Sequence, residues 1–198
     1  MNTPGTERRP RRLIVSIIGN GSLPPDDSRA LLAKELGQAL VDAGYRIACG
    51  GMGGVMAAVC EGAYNSASYR DGDIIGILPG FDPSHANPWV DLPIATGLDH
   101  VRNFIVANGD AVVAVGGGAG TLSEMAGAWQ LNRLICAYRT QGWSGRLADQ
   151  RIDERVRYDD IPEDRIFGVD SADQVIALLA QWLPRYCRRH TGIKEGTR

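Results

Sequence analysis

Glu124 closes the run Gly116-Gly-Gly-Ala-Gly-Thr-Leu-Ser-Glu124, and this is where the sequence gathers its chemistry. The apolar segment just before it, Asp110-Ala-Val-Val-Ala-Val115, reads as a fully buried parallel strand. The segment after it, Thr121 to Leu131, has the spacing of an amphipathic helix. A glycine-rich turn between such a strand and such a helix exposes backbone N–H groups at the positive end of the helix dipole. Phosphate or another anion binds well there. The spacing therefore predicts a phosphorylated ligand with a carboxylate close at hand. Thr121-Leu-Ser-Glu124 also has the form of a capping box, in which threonine caps the helix and glutamate reaches back. The residues alone leave Glu124 open between chemistry and capping.

Two further glycine turns follow apolar segments: Gly19-Asn-Gly-Ser22 and Gly50-Gly-Met-Gly-Gly54. One such turn is weak evidence, since glycine also ends strands for packing reasons. Three turns at one edge of a sheet would build a polar cradle. A Walker loop is excluded, because the only lysines, Lys34 and Lys194, lie far from any glycine turn. The dinucleotide fingerprint fails too, with Pro24 where its third glycine belongs and no acid after the second strand to hold a ribose.

The elements that must position these turns alternate between strand and helix, which predicts a Rossmann-like α/β domain, a parallel sheet with helices on both faces. Strands are expected at 13–18, 45–49, 73–78, 110–115 and 134–138, with a weaker one at 92–96 that contains Pro93. Helices are expected from Asp26/Asp27 to Gly44, and at 53–68, 100–108, 121–131 and 171–183. Residues 139–165 are crowded with charge. A hairpin or extended flap over 151–157 beside the site and a plain surface insertion are both consistent with them.

The chain has 198 residues, enough for one well-buried domain, spanning 13–184 in this reading. Residues 1–12 are expected to be a disordered basic tail and 185–198 a second basic tail. Those tails carry +3 and +4, which with a total of −2 leaves −9 on the body. No aromatic and basic face accompanies the tails, so nucleic acid is not an expected partner. Neither a secretory leader nor a membrane-length apolar stretch is read here. Cys49, Cys60, Cys136 and Cys187 are scattered with no metal-ligand spacing, which predicts reduced thiols, no metal and a cytoplasmic protein.

The run at 116–124 resembles the P-G-G-x-G-T-x-x-E signature of the LONELY GUY (LOG) family, and Gly50 to Met56 resembles that family's second glycine motif. Val101-Arg102-Asn103-Phe104, with Arg102 22 residues ahead of Glu124, matches the position of its essential arginine. The Arg-Asn-Phe version, the Gly116 start and the Gly142-Trp-Ser-Gly145 turn look closer to a sister branch. That branch holds the molybdenum cofactor carrier proteins and uncharacterised Rossmann-like nucleotide binders. The resemblance implies a pocket for a nucleoside 5′-monophosphate. LOG enzymes hydrolyse its N-glycosidic bond to free base and ribose 5-phosphate without a cofactor, whereas the carriers bind a phosphate-bearing molybdenum pterin and hydrolyse nothing.

By this match Arg102 and Glu124 would be the catalytic pair, Arg102 as a bidentate oxyanion contact and Glu124 assisting water and an oxocarbenium-like state. Gly19, Ser22, Gly50, Gly51, Gly53, Gly54, Asn103, Gly117, Gly118, Gly120 and Thr121 would bind the ligand, with phosphate held by Gly117, Gly118, Gly120 and Thr121. A homo-oligomer, dimer or higher, is expected. Departures from the LOG pattern are Gly116, Ala119, Asn103 in place of a basic residue and Ser123 in place of an acid, and they weigh against a cytokinin-type substrate and efficient hydrolysis. Some relatives carry a lysine decarboxylase label, but Lys34 and Lys194 offer no buried Schiff-base lysine.

Overall fold

The computed structural model describes residues 11–24 and 26–189. Seven parallel strands form one sheet in the order β4-β3-β2-β1-β5-β6-β7. They are β1 Ile14–Gly19, β2 Arg46–Cys49, β3 Ile74–Leu78, β4 Leu92–Ala95, β5 Ala111–Val115, β6 Leu134–Tyr138 and β7 Ile166–Val169. The chain builds outward from β1 to β4, then crosses back to lay β5 along the other side of β1. Strand order reverses between β1 and β5, and the crevice beyond their C-terminal ends is where open α/β sheets bind ligands.

Side chains alternate across the strands, and both sets are apolar. Val15, Ile17, Val113 and Val115 enter one core with α1 (Ser28–Asp42), α2 (Val55–Tyr64) and α6 (Ala172–Trp182). Ile18, Val112 and Ala114 enter the other with α3 (Asn103–Val106), α4 (Ala119–Gln130) and α5 (Trp143–Leu147). The α/β Rossmann-like sheet with helices on both faces is thus the observed architecture.

All six expected strands match to within a residue, and the Pro93 strand is the edge strand β4. β7 was not anticipated. Helix α1 starts where expected, with the Asp27 carboxylate accepting from Arg29 N–H at 2.9 Å as its N-cap. The helix expected at 100–108 divides into a 3₁₀ turn, Asp99–Arg102, and the single turn of α3.

Residues 151–157 form neither hairpin nor strand, and they do not stand beside the crevice. Arg155 Nη2 and Arg157 Nη1 donate to the Trp129 carbonyl at 3.0 and 3.4 Å, at the C-terminal end of α4. The crevice lies at the other end of that helix, about 18 Å away at 1.5 Å per residue. The Arg157 guanidinium lies 3.6 Å from the Trp129 ring centroid. It is fully buried and pairs with Asp164 at 2.5 Å, and the Tyr186 hydroxyl donates to that carboxylate at 2.7 Å. This segment is a plug against α4.

Arg11 and Arg12 are not loose either. Arg11 donates to both Asp110 oxygens at 2.7 and 2.5 Å, and Arg12 pairs with Asp73. Arg189 joins the same Asp110 at 2.7 Å from the C-terminal side. The remainder of the two expected tails, 1–10 and 190–198, lies outside the described residues.

Helices α1 and α2 cross at two glycines. A Cβ on Gly37 would collide with the Val59 carbonyl, and one on Gly62 with the Lys34 carbonyl. Backbone-to-backbone contact sets where α2 begins, and hence where the Gly50–Gly54 turn lies. Gly37→Ala or Gly62→Ala should each cost about 1–3 kcal/mol, lowering Tm by several degrees at roughly 2–4 °C per kcal/mol. Gly80→Ala, where a Cβ meets nothing within 4 Å, should leave the thermal melt nearly unchanged.

Candidate functional site

The C-terminal ends of β1, β2 and β5 deliver the three glycine turns to one cleft of about 270 Å³. Gly19, Ser22, Gly50, Arg102, Asn103, Gly118, Gly120, Thr121 and Glu124 line it, so the structure brings together most of the residues singled out from sequence. Gly51, Gly53, Gly54 and Gly117 are not among the residues that line it.

After β5 the chain turns through Gly116 at φ +65° and Gly117 at φ +95°, a left-handed region that side-chain-bearing residues rarely adopt. This double turn lets α4 begin at Ala119, with Gly118 as its N-cap. The helix starts two residues earlier than expected, and the capping box is therefore absent. Thr121 sits inside the first turn, buried against Gly117, and Glu124 lies in the second turn. No side chain caps this helix. Its ladder opens with Leu122 N–H to the Gly118 carbonyl at 3.0 Å, leaving the earlier N–H groups without a helical acceptor.

Gly117 does not supply one of those donors. Its N–H is taken by Asn20 Oδ1 at 2.7 Å, and the Gly116 N–H by Ser144 Oγ at 2.7 Å. Ser144 lies in the Gly142–Gly145 turn, whose Trp143 and Ser144 N–H groups return to the Gly117 and Gly116 carbonyls, each at 3.0 Å. The open donors thus begin with Gly118, and Gly117 contributes shape alone.

Asn20 is the residue that sequence reasoning passed over. Its side chain holds the β5 turn and accepts from Arg29 Nη1 at 3.2 Å, while its carbonyl accepts from Val55 N–H at 2.9 Å at the start of α2. Gly54, at φ +60°, presses so closely on this carbonyl that a Cβ would collide with it. The only sequence signal was its place between Gly19 and Gly21.

Arg102 ends the 3₁₀ turn, and its guanidinium lies over Gly50, where a Cβ would displace it. Arg102 Nε and Nη1 are buried with no hydrogen-bond partner among the described residues. A buried guanidinium donor left unpaired costs free energy that an anion would recover. Glu124 is 8% exposed and forms no ion pair with Arg102 within 4 Å among the described residues. Burial pushes its carboxyl up to about 7, partly offset by the Arg102 charge. Asn103 is committed elsewhere, with Nδ2 donating to Ser123 Oγ at 3.0 Å and Ser123 Oγ donating to the Gly120 carbonyl at 2.7 Å. The two positions at which the LOG pattern has a basic residue and an acid thus pair as neutral groups and brace the first turn of α4.

The cleft therefore offers a positive helix end, a half-buried cation with two unpartnered nitrogens and a carboxyl pushed up to about 7. No cluster of metal-ligating side chains occurs among the described residues, and none of their helices is long and apolar enough to cross a membrane. Cys49, Cys60 and Cys136 are buried free thiols, while Cys187 is exposed.

A folded carboxyl near 7 holds its proton more tightly than the ordinary 4.5, so stability falls as pH rises between those values and stays low above them. Glu124→Gln should abolish this dependence. The variant should be more stable than wild type by about 1–3 kcal/mol at pH 8 and near parity at pH 4, which denaturant titrations at the two pH values would read.

Residues 12–177 match the model of the SLOG cluster4 family. A protein of Archaeoglobus fulgidus, described only as uncharacterized, is 35% identical over 113 residues, which span 57% of this chain and 70% of that protein. The crystal structure of TM1055 superposes with a TM-score of 0.72 at 29% identity, covering 86% of this chain and 99% of that one. The molybdenum cofactor binding protein of the phototrophic bacterium Rippkaea orientalis gives 0.71 at 27% identity, covering 86% and 97%. The molybdenum cofactor carrier protein of Chlamydomonas reinhardtii gives 0.69 at 26% identity, covering 87% and 99%.

Proposed function

Because the chain belongs to the SLOG cluster4 family, we propose that its cleft binds a phosphorylated nucleotide or nucleotide-like molecule, with the phosphate at the start of α4. The observation that carries this reading is the Arg102 guanidinium, buried over Gly50 with Nε and Nη1 unpartnered. An oxyanion on one edge of the guanidinium pairs with one of these nitrogens, while Gly118, Gly120 and Thr121 supply backbone donors along the helix dipole. The cleft's 270 Å³ lies just below the roughly 300–1,000 Å³ common to small-molecule sites.

Glu124 supports hydrolysis of the N-glycosidic bond as the reaction of that ligand. Its carboxylate takes a proton from water as the water bonds to the sugar carbon. The bond from that carbon to the base breaks, and the base leaves with the electron pair and a proton from solvent or from the protonated carboxyl. A group titrating at about 7 populates both forms at neutral pH, which matches acid and base work in one cycle. A second reading, a non-catalytic carrier of a molybdenum pterin, is supported by the Asn103–Ser123 pair and by the named carriers at 26–27% identity. Here the phosphate of the cargo occupies the same helix start, and Glu124 stays protonated beside it.

A panel of nucleoside monophosphates, assayed for free base by chromatography, separates the two. Hydrolysis predicts base release that rises as pH passes about 7 and disappears in Glu124→Gln while nucleotide binding persists. Carriage predicts no base release and co-purification of a molybdenum pterin, read by mass spectrometry. In either case Arg102→Ala should weaken binding by about 10- to 100-fold, the worth of a charge-assisted contact. Unaltered affinity in that variant would remove Arg102 from the site.

A further inference from the structure

The N-terminal ends of the strands, opposite the cleft, gather positive charge. Asp110 precedes β5, and its carboxylate accepts from the Ile14 N–H at 2.9 Å, from both terminal nitrogens of Arg11 and from Arg189 Nη2 at 2.7 Å. Arg11 and Arg189 meet at one oxygen, Asp110 Oδ1, and repel each other there. Asp73, just ahead of β3, is shared in the same way by Arg12 and, at 4.0 Å, by Arg46. Four guanidinium groups thus divide two carboxylates. Arg133, just ahead of β6, adds a fifth charge. It is 4% exposed, and its Nε and Nη1 are buried with no hydrogen-bond partner among the described residues, while Nη2 donates to Asn108 Oδ1. Burial first, and then the Arg189 charge, pull this guanidinium below its ordinary range, against the opposing effect of Asp110.

Beside these arginines lies a second cavity, of about 430 Å³. Asp110 and Arg189 line it together with apolar Leu13, Leu179, Leu183 and Tyr186. Leu13 comes from the segment that opens β1, and the two other leucines from α6 and its end. Tyr45, ahead of β2, also lines the cavity, and its carbonyl accepts from Arg12 Nη2 at 3.1 Å. The volume falls within the roughly 300–1,000 Å³ of small-molecule sites, and apolar walls with a few charged groups are how such sites are built. Nothing in the cleft's chemistry uses this end of the sheet.

We propose that this cavity binds a small amphipathic anion, a phosphate or carboxylate head on an apolar body. The head docks at Arg189, with Arg11 and Arg133 adding charge around it, and the body lies against Leu13, Leu179 and Leu183. The head offsets the positive excess that Asp110 leaves, and the body removes apolar wall from water. The sequences that flank the described residues are poor occupants by charge. Residues 190–198 hold Lys194 and Arg198 against one acid, Glu195, and residues 1–10 hold Arg8 and Arg9 against one acid, Glu7. Each would bring further positive charge to arginines already in excess.

Cys187 lines the same cavity and is exposed, whereas Cys49, Cys60 and Cys136 are buried. Alkylation of the full chain by iodoacetamide, read by peptide mass spectrometry, therefore reports occupancy. Octyl phosphate and octanoate, each below its micellar concentration, are the probes. At saturation at least one should slow modification of Cys187 severalfold, while 1-octanol and inorganic phosphate do far less. Comparing the two probes shows which head the site prefers. Calorimetry should find the better probe bound about 10-fold or more weakly by Arg189→Gln, the worth of a charge-assisted contact. Ala180→Trp, which fills the cavity from an exposed position on α6, should weaken it as well. Arg102→Ala, in the cleft, should bind the probe as wild type does. The labelling uses the wild-type chain, so it holds whatever the variants do to folding. Unchanged Cys187 reactivity with both probes overturns the proposal. So does equal protection by octanol or inorganic phosphate, stronger protection by a single-stranded oligonucleotide, or binding that survives both substitutions or is lost in Arg102→Ala.

Discussion

The side chain of Asn20 holds the site in register. Its oxygen takes the Gly117 N–H at 2.7 Å while its carbonyl takes the N–H that opens α2, so one residue at the end of β1 fixes both neighbouring turns. A parallel sheet brings β1, β2 and β5 alongside one another, but it leaves their C-terminal loops free to splay. The Asn20 contacts remove that freedom. They orient α4 so that its uncapped first turn opens on the cleft, and Arg102 closes over Gly50 from the opposite wall. The α1–α2 crossing at Gly37 and Gly62 supplies the counter-pressure, since α2 cannot move closer to α1 without backbone collision.

The central strands could be read because each is a short apolar run ended by glycine, and burial on both faces leaves no other pattern. β7 was hidden for the converse reason. Ile166-Phe-Gly-Val169 is four residues long, contains glycine and follows a charged stretch. The start of α4 was misjudged because three glycines read as loop, whereas positive φ at Gly116 and Gly117 completes the reversal before Ala119. That two-residue shift removes the capping box and places the Glu124 carboxyl in the cleft wall.

Long-range partners account for what remained hidden. Arg151-Ile-Asp-Glu-Arg-Val-Arg157 alternates like a hairpin strand, yet the Trp129 ring and the carbonyls at the end of α4 claim its arginines. Nothing local to either segment encodes that pairing. Asn20 is the same problem in miniature. Between two glycines it reads as a turn former, and only its partner 97 positions away shows what it does. The cleft's membership was legible from motif and resemblance, but the division of labour between donors and braces was not.

Arg102 also bears on the life of the protein between binding events. Two of its nitrogens are withdrawn from water with no hydrogen-bond partner among the described residues, and the fold carries that penalty. Any anion that answers them lowers the energy of the folded chain and leaves the unfolded chain untouched. Occupancy and foldedness then form a single equilibrium, with the filled protein held back from unfolding in proportion to ligand supply. In a cell that clears unfolded chains, the amount of this protein would track the concentration of what it binds.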